Sequence, residues 1–574
     1  MTTGAARPYA TQRIQDDIRR RLADALKRCV QDDGLPAEVL DADITLEIPR
    51  DKGHGDYATN LALTLARVAR QRPRQLAERI AARLDLAGSK VARAEVAGPG
   101  FINFYLEPTW LYEVLRDVHE RGPAYGDVDI GRGARVLIEF VSANPTGPLN
   151  VVNARHAALG DALANLLEAA GYRPEREFYV NDAGNQVRML GLAMETRYRQ
   201  LLGEPAELPE GAYPGAYIID LARELLALEG PALLERPAEE RRERMARFAV
   251  ERIVAQQRQV LERYGVRYDR WFHESEVRAA GGPEAVVRRL SERGYTYERD
   301  GAVWLRSTAF GDDKDRVLVK SDGEFTYIVP DIAYHLNKLE RGYDTLIDLL
   351  GQDHHGYHVR MGAALAALGY DPKALEVIYL QMVHLVRGGQ AARMSKRQGE
   401  YVTLEDFLNE VSTDAARYFF LMRSPDTTME FDLDLANLQT QDNPVYYVQY
   451  AHARIAGILR QAAEAGIELG AGDGEAGPTD AVLVPIADES EFELLRKIGA
   501  LPDEIAGAAL AREPHRLTRY AHELAATFHQ FYTRCRVLGE EPAVTRARLL
   551  LVRATQLALQ RVLRILGVTA PERM

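Results

Sequence analysis

The chain has 574 residues, enough for three or four domains. Its hydrophobic fraction of 46% and charged fraction of 27% exclude collagen-like, coiled-coil and disordered classes. No run approaches the roughly 18 apolar residues of a membrane span, and Met1 to Arg7 lacks the apolar core of a signal peptide. Cys29 and Cys535 can form neither a disulfide framework nor a Cys-based zinc cage, and no spacing of the 13 His argues for a metal site. A cytoplasmic protein, with no membrane and no structural metal, is expected. The net charge of −12 argues against coating DNA or any nucleic acid non-specifically. From Arg512 to Met574, however, eleven Arg and no Lys face five Glu. Such a basic end either meets a polyanion at a defined place or is a set of solvated helix faces.

Residues 1–108 read as a small α+β unit. Ile14, Ile18, Leu22, Ala25 and Leu26 repeat at helical spacing, and Ile44 to Ile48 alternates as a strand. Asp56 to Ala66 begins polar and becomes helical, and Ala97 to Leu106 is a turn followed by a strand. Arg135 to Val141 is a buried-type strand. A turn rich in Asn, Pro and Gly follows, then a helix from about Asn150 to Ala170 and a strand at Arg176 to Val180. Strand, turn, helix, strand is a βαβ unit and implies a parallel sheet. A charged, largely helical insertion spans about 186–300. Strand signals return at Ala302–Leu305, Val317–Val319, Thr326–Val329, Thr345–Leu350 and Leu375–Leu380. The catalytic-type α/β unit thus covers 109–440, and 441–574 is helical apart from a Gly- and acid-rich loop at 464–480. That last part is expected to separate from the sheet at about Asn443.

The first βα turn is the natural phosphate site of such a sheet, because helix N-terminal N–H groups and the helix dipole favour an anion. Here Asn150 and Asn153 share one face of the first helical turn and offer amide donors. The plain alternative is that Asn150 caps the helix. Glu139 and Asn144 at one strand end, and Tyr327 and Asp331 at a second junction, place polar groups where open α/β sheets bind ligands. Two carboxylates there suit a cationic substrate. Gly351 and Asp353 follow a strand in a nucleotide pattern, with Gly for close approach and Asp for ribose hydroxyls. Ala392 to Gly399 is a short basic loop that is either simply solvated or, through Lys396 and Arg397, reaches a triphosphate losing pyrophosphate.

These stretches resemble the bacterial arginyl-tRNA synthetases, class I aminoacyl-tRNA synthetases. The resemblance is carried by Ile138 to Leu149, Val180 to Gln186, Asp331 to His335, Gly351 to Gly356 and Arg393 to Arg397. Asn443 to Arg454 is similar to the start of that family's anticodon-binding bundle and Leu566 to Met574 to its end. His54 to Asn60 and Gly98 to Asn103 resemble its N-terminal domain, which meets the tRNA elbow. The family has His, a hydrophobic residue, Gly and His where this chain has Asn150, Val151, Val152 and Asn153. It commonly has Lys at the position of Arg393.

The resemblance implies a doubly wound, Rossmann-like sheet with a helical insertion, a small N-terminal α+β domain and a C-terminal all-α bundle. It implies an ATP-dependent, tRNA-dependent enzyme that makes arginyl-adenylate and charges tRNA(Arg), with Mg²⁺ arriving on ATP. Carried over by position, the ATP site is Asn150, Val152, Asn153, Gly351, Asp353, Met394, Ser395, Lys396 and Arg397, with Asn150, Asn153 and Lys396 catalytic. L-Arginine falls to Glu139, Ser142, Asn144, Tyr327, Asp331 and Gln352, and tRNA to Tyr57, Asn60, Phe101, Asn103, Tyr450, Arg454 and Arg534. A monomer is expected. Two other classes compete: a tRNA-binding relative without the chemistry, supported by the two asparagines, and a small-molecule nucleotidyltransferase, which has no use for a basic helical module.

Overall fold

The structure is a computed structural model that describes residues 7–49, 51–354, 356–392, 402–467 and 478–574. The N-terminal unit opens with the helix Ala10–Asp33, which buries Ile18, Leu22 and Leu26 at the spacing read from sequence. That helix belongs with a three-stranded antiparallel sheet of order Tyr57–Thr59, Phe101–Leu106, Val91–Ala97. The expected strand at Ile44–Ile48 shrinks to a single bridge, Glu47 to Ala58. Pro49 offers no N–H to extend the ladder and Ile48 lies 72% exposed, so the alternation has no inner face to serve.

Five parallel strands form the central sheet in the order Leu375–Leu380, Thr345–Gly351, Arg135–Glu139, Arg173–Val180, Arg270–His273. The first of these in the chain lies in the middle. Later strands add to one side and then to the other, so the order reverses between Arg135–Glu139 and Thr345–Gly351. In an open α/β sheet the crevice at that reversal receives the ligand. The helix Val151–Ala169 crosses behind it and is buried along most of its length. Gly160 permits the approach: a Cβ there would come within 2.2 Å of the Phe140 ring, which is itself fully buried.

The helices Asn185–Leu201, Ala216–Glu229 and Ala238–Arg263 build a separate insertion core. The chain returns to the sheet at Arg270–His273, earlier than the expected end near 300. That edge strand is only four residues, Arg-Trp-Phe-His, and carries no apolar run to betray it. Ala302–Leu305 and Arg316–Val319 are strands, but they lie in a small antiparallel sheet of their own, where Ala302–Leu305 pairs with Thr296–Arg299 on one side and Arg316–Val319 on the other. Thr326–Val329 is not a strand; the helix Ile328–Glu340 starts there, with Pro330 tolerated in its first turn.

The C-terminal helices Pro444–Glu464, Glu489–Gly499, Leu501–Ala511, His515–Arg534 and Pro542–Leu566 pack against the rest of the chain. One hydrophobic core runs from the N-terminal unit through the Val151–Ala169 helix into Pro542–Leu566. At the seam the fully buried Arg417 donates to Leu566 O at 3.1 Å and to Asp161 at 2.5 Å, and Arg176 reaches the same carboxylate at 3.0 Å. The expected Gly- and acid-rich loop falls mostly on 468–477, outside the described residues.

Candidate active site

Glu139 ends the middle strand, and the chain then turns sharply. Val141 and Ser142 take positive φ angles of 67° and 37°. For a β-branched residue such a backbone is held only by its surroundings, and such strain gathers at functional sites. The turn brings the Ser142 hydroxyl under the strand end, where it donates to Glu139 Oε1 at 2.9 Å and accepts from Tyr179 N at 3.1 Å. The loop beyond is clamped from the insertion. Gln257, buried on the Ala238–Arg263 helix, donates to Asn144 O at 3.2 Å and Gly147 O at 2.9 Å. Asn144 itself is exposed on the rim.

Asn150 caps the helix. Its Oδ1 accepts from Val152 N at 2.9 Å and Asn153 N at 3.2 Å, and Asn153 Oδ1 accepts from Asn150 N at 2.9 Å. The plain capping reading therefore holds for both residues. Both use only their oxygens in the cap, which leaves two amide nitrogens fixed at the positive end of the helix. Val152 stands between them, half-buried. Thr403 bridges to Asn150 and Leu404 N donates to Leu149 O at 2.7 Å, so the chain just after the basic loop is tied to the same turn. Met394, Ser395, Lys396 and Arg397 lie outside the described residues.

Below the crevice is a buried charge network. Lys338, fully buried, donates to Glu139 Oε2 at 2.5 Å and Asp348 Oδ1 at 2.9 Å. Burial opposes its charge, but Asp348 and Glu139 outweigh that and hold it above the ordinary lysine range. His335 bonds Asp348 Oδ2 at 2.8 Å through Nε2 and Asp331 O at 2.8 Å through Nδ1. Asp331, in the first turn of the Ile328–Glu340 helix, differs from all of these. Among the described residues nothing donates to its carboxyl group. Burial pushes its pKa up to about 7; His335 opposes the rise and the nearby Glu139 and Glu274 add to it. The wall around it includes Tyr179 and Tyr357, which feel its charge. Glu274, 5% exposed, sits just past the unrecognised edge strand, and for that reason sequence reasoning missed it.

The remaining expected residues divide. Gly351 closes the Thr345–Gly351 strand, with Gln352 and Asp353 in the tight turn after it, across the crevice from the Asn150 cap. Tyr327 stands on the rim, 74% exposed, its hydroxyl accepting from Arg360 at 3.3 Å. In the N-terminal unit Asn60 and Phe101 are half-buried. Tyr57 and Asn103, expected to meet tRNA, are buried, each 4% exposed. Neighbouring strands pair Tyr57 with Phe104 and Ala58 with Asn103, and burial pushes the Tyr57 hydroxyl up to about 12. In the C-terminal bundle Tyr450 stacks on Tyr446, and Arg454 lies over both Tyr450 and Tyr532 at 5.1 Å. His529 and His522 continue this aromatic seam against Tyr447. Arg534 is exposed. Part of the basic C-terminal charge is spent inside the chain, on the pairs Arg512–Glu376, Arg548–Glu491 and Arg561–Asp127.

Three family models match in succession: "Arginyl tRNA synthetase N terminal domain" over 13–106, "tRNA synthetases class I (R), catalytic domain" over 121–432 and "DALR anticodon binding domain" over 448–574. An arginine–tRNA ligase of Symbiobacterium thermophilum is 53% identical over 98% of this chain and 99% of its own length. The chain belongs to the class I arginyl-tRNA synthetases. A second such ligase, from Moorella thermoacetica, is 51% identical over 98% of this synthetase and 100% of itself. The solved Thermus thermophilus arginyl-tRNA synthetase shares the fold at a TM-score of 0.71 and 24% identity, covering 97% of this chain and 100% of that one. The synthetase fold puts the switch-point crevice, the Asn150 cap and Asp331 on one carboxyl edge. Among the described residues no helix is long and apolar enough to cross a membrane.

Proposed function

We propose that this synthetase activates L-arginine with ATP and transfers it to tRNA(Arg). The observation that carries the arginine assignment is Asp331: a half-buried carboxyl to which no described residue donates, near Glu139, at the switch point of the sheet. A guanidinium donates in the paired geometry that a carboxylate accepts, and its charge removes the penalty of keeping Asp331 ionised. Lys338 and Ser142 hold Glu139 in place to face the same substrate. Asn144, Tyr327 and Gln352 serve on the rim of the arginine site.

ATP lies across the crevice, with its phosphates at the helix N-terminus and its ribose at Gly351 and Asp353. The Nδ2 groups of Asn150 and Asn153 donate to the phosphates as neutral groups, and Val152 adjoins the adenine; by resemblance, Met394, Ser395, Lys396 and Arg397 belong to the same ATP site. Mg²⁺ comes with ATP as part of the substrate. An arginine carboxylate oxygen attacks the α-phosphorus, and the bond to pyrophosphate breaks. A terminal ribose hydroxyl of tRNA then attacks the adenylate carbonyl, loses its proton, and AMP departs. The protein's part is alignment and charge stabilisation. Transfer RNA is received by Asn60 and Phe101 at one end and by Tyr450, Arg454 and Arg534 at the other. The protein works as a monomer in the cytoplasm.

Arginine-dependent exchange of pyrophosphate into ATP, run with and without tRNA(Arg), tests this reading. Exchange that requires arginine supports it. The alternative, a tRNA-binding relative without the chemistry, draws on the use of Asn150 and Asn153 as caps; tRNA binding with no exchange under either condition would establish it.

A further inference from the structure

The loop that joins the arginine and ATP half-sites has a support with no part in the scheme above. It leaves the end of the Arg135–Glu139 strand, where Glu139 and Ser142 face arginine, and arrives at the Asn150 cap, where the phosphates lie. Its far end is tied by Leu404 N, which donates to Leu149 O at 2.7 Å. Its middle carries Pro145 and Pro148, which offer no N–H to a backbone partner. The carbonyls there are gripped from outside. Gln257 Nε2 donates to Asn144 O at 3.2 Å and to Gly147 O at 2.9 Å, and the Tyr217 hydroxyl donates to Thr146 O at 2.5 Å. Both side chains come from the insertion, Tyr217 from the start of Ala216–Glu229 and Gln257 from Ala238–Arg263. Gly147 lets Tyr217 come this close, since a Cβ there would stand 3.3 Å from the hydroxyl.

Packing alone does not demand a glutamine at this place. Gln257 is 1% exposed, its Oε1 is buried without a hydrogen-bond partner among the described residues, and the buried residues around it on the helix, Ile253, Val260 and Leu261, are apolar. A methionine would fill the same space without burying an unpaired oxygen. What the glutamine adds is two N–H donors at one point, within reach of two carbonyls three residues apart. The helices that carry Gln257 and Tyr217 pack on one core through Ile218, Ala222, Val250 and Ile253, so the donors sit at a fixed separation. With its ends fixed at the sheet and the helix cap and its middle carbonyls fixed by the insertion, the loop holds Asn144 at one distance from Asn150.

We propose that Gln257 and Tyr217 are positioning residues for arginine activation: from the insertion they fix the 144–147 loop so that the arginine carboxylate and the α-phosphorus of ATP are held in line. The insertion then takes part in the first chemical step. The inference rests on the arginine and ATP reading given above, in which neither side chain touches a substrate; each acts through the loop backbone.

The test uses the full chain with tRNA(Arg) and measures pyrophosphate exchange. Gln257→Met keeps the shape and removes the donors, Tyr217→Phe keeps the ring and removes the hydroxyl, and Gln257→Glu keeps the shape but donates only when protonated. Active sites are counted by calorimetric titration with a sulfamoyl analogue of arginyl-adenylate, and kcat is expressed per site. The expected result is that Gln257→Met loses up to about 10²-fold in kcat per site, the order that a small misplacement of reacting groups costs. Its KM values for arginine and ATP stay close to those of wild type, the mark of an interaction that counts in the transition state. Tyr217→Phe loses in the same direction. Relative to wild type at saturating arginine, Gln257→Glu is faster at about pH 6 than at about pH 8, because burial favours the protonated carboxyl, which restores one donor; Gln257→Met shows no such recovery. A purely structural role would lower the melting temperature and the number of sites and leave the rate per site alone. A folded Gln257→Met with the wild-type rate per site overturns the proposal, as does a Gln257→Glu no faster than Gln257→Met at either pH. If the Gln257 variants do not fold, Tyr217→Phe decides by the same rate per site. No exchange by wild type under any condition is a different failure: it sinks the synthetase reading, and this inference with it.

Discussion

Asp331 carries opposed demands that a variant can separate. A carboxyl held near pH 7 by burial is half-protonated in the free protein at neutral pH, and only its ionised form pairs with a guanidinium. Arginine binding should therefore release a proton, and the KM for arginine should rise as pH falls below about 7. Asp331→Asn should raise that KM far more than the KM for ATP and should abolish its pH dependence; an unchanged arginine KM removes Asp331 from the site. Stability moves the other way. The folded pKa of about 7 exceeds the unfolded value near 4, so the folded chain holds a proton through that window that the unfolded chain has lost. Stability from this group is present below about pH 4 and is lost as pH rises to 7. The melting temperature of Asp331→Asn should thus gain on wild type between pH 4 and pH 7 and hold a constant lead above it, which scanning calorimetry checks. For Asn153 the cap and the phosphate role are additive. Asn153→Ala breaks the bond to Asn150 N, which costs about 1 kcal/mol of stability. If its Nδ2 also serves the transition state, exchange falls by roughly 10² to 10³. A lower melting temperature with normal exchange leaves it a cap alone. What was legible here were residue types at strand ends: Glu139, Gly351 and Asp353 were singled out because polar groups after apolar strands mark a crevice, whereas Asp331 was singled out after an expected strand where the structure has the first turn of a helix. Lys338, Gln257 and Glu274 were not, because each sits inside a helix or beyond a disguised strand, where only tertiary packing brings it near the sheet's carboxyl edge.

At the scale of elements, the helix Val151–Ala169 is the part on which the site depends. It supplies the cap at one end and packs its buried face on the sheet, on the Thr413–Leu421 helix and on Pro542–Leu566. Gly160 sets its distance from the sheet. Gly160→Ala gains helix propensity of up to about 1 kcal/mol but drives a methyl into Phe140. Overpacking of a fixed core costs about 1–3 kcal/mol, so the variant should melt lower and, with the cap displaced, bind ATP more weakly. A raised melting temperature would show that the interface yields. The βαβ unit was readable because its strand, turn and helix are long and strongly patterned. The edge strand Arg270–His273 and the turn at Thr326 were not: four residues give no period, and β-branched Ile328 and Val329 carry strand propensity into the start of a helix.

Across the whole molecule, one hydrophobic cluster reaches from the N-terminal unit through Val151–Ala169 into the C-terminal helices. Deleting everything after Asn443 should therefore not leave a folded sheet. It strips the Pro542–Leu566 helix from the back of Val151–Ala169 and leaves Arg417 without Leu566 O. The truncated chain is expected to be insoluble or to lack a cooperative melt; a soluble, cooperatively folded fragment would contradict the shared core. Arg417→Met is the gentler form of the same test. It leaves the buried Asp161 with Arg176 and a long bond from Asn165, at a cost of up to about 3–5 kcal/mol. Composition showed that the end of the chain is basic and helical, but charge says nothing of which apolar faces meet, so the contact of Pro542–Leu566 with the Val151–Ala169 helix was not legible there. Transfer RNA affinity should fall steeply with salt, as counterion release requires.

The central claim is that this fold uses Asp331 to choose a guanidinium and load it on tRNA(Arg). Citrulline replaces that guanidinium with a neutral urea of nearly the same shape. The most direct measurement is the kcat/KM for charging tRNA(Arg) with labelled arginine and with labelled citrulline, in wild type and in Asp331→Asn. The expected result is efficient arginylation by wild type, citrulline rejected by a factor on the order of 10⁴, and a ratio that collapses in Asp331→Asn. No arginine transferred to bound tRNA(Arg), or a ratio that Asp331→Asn leaves unchanged, would contradict it.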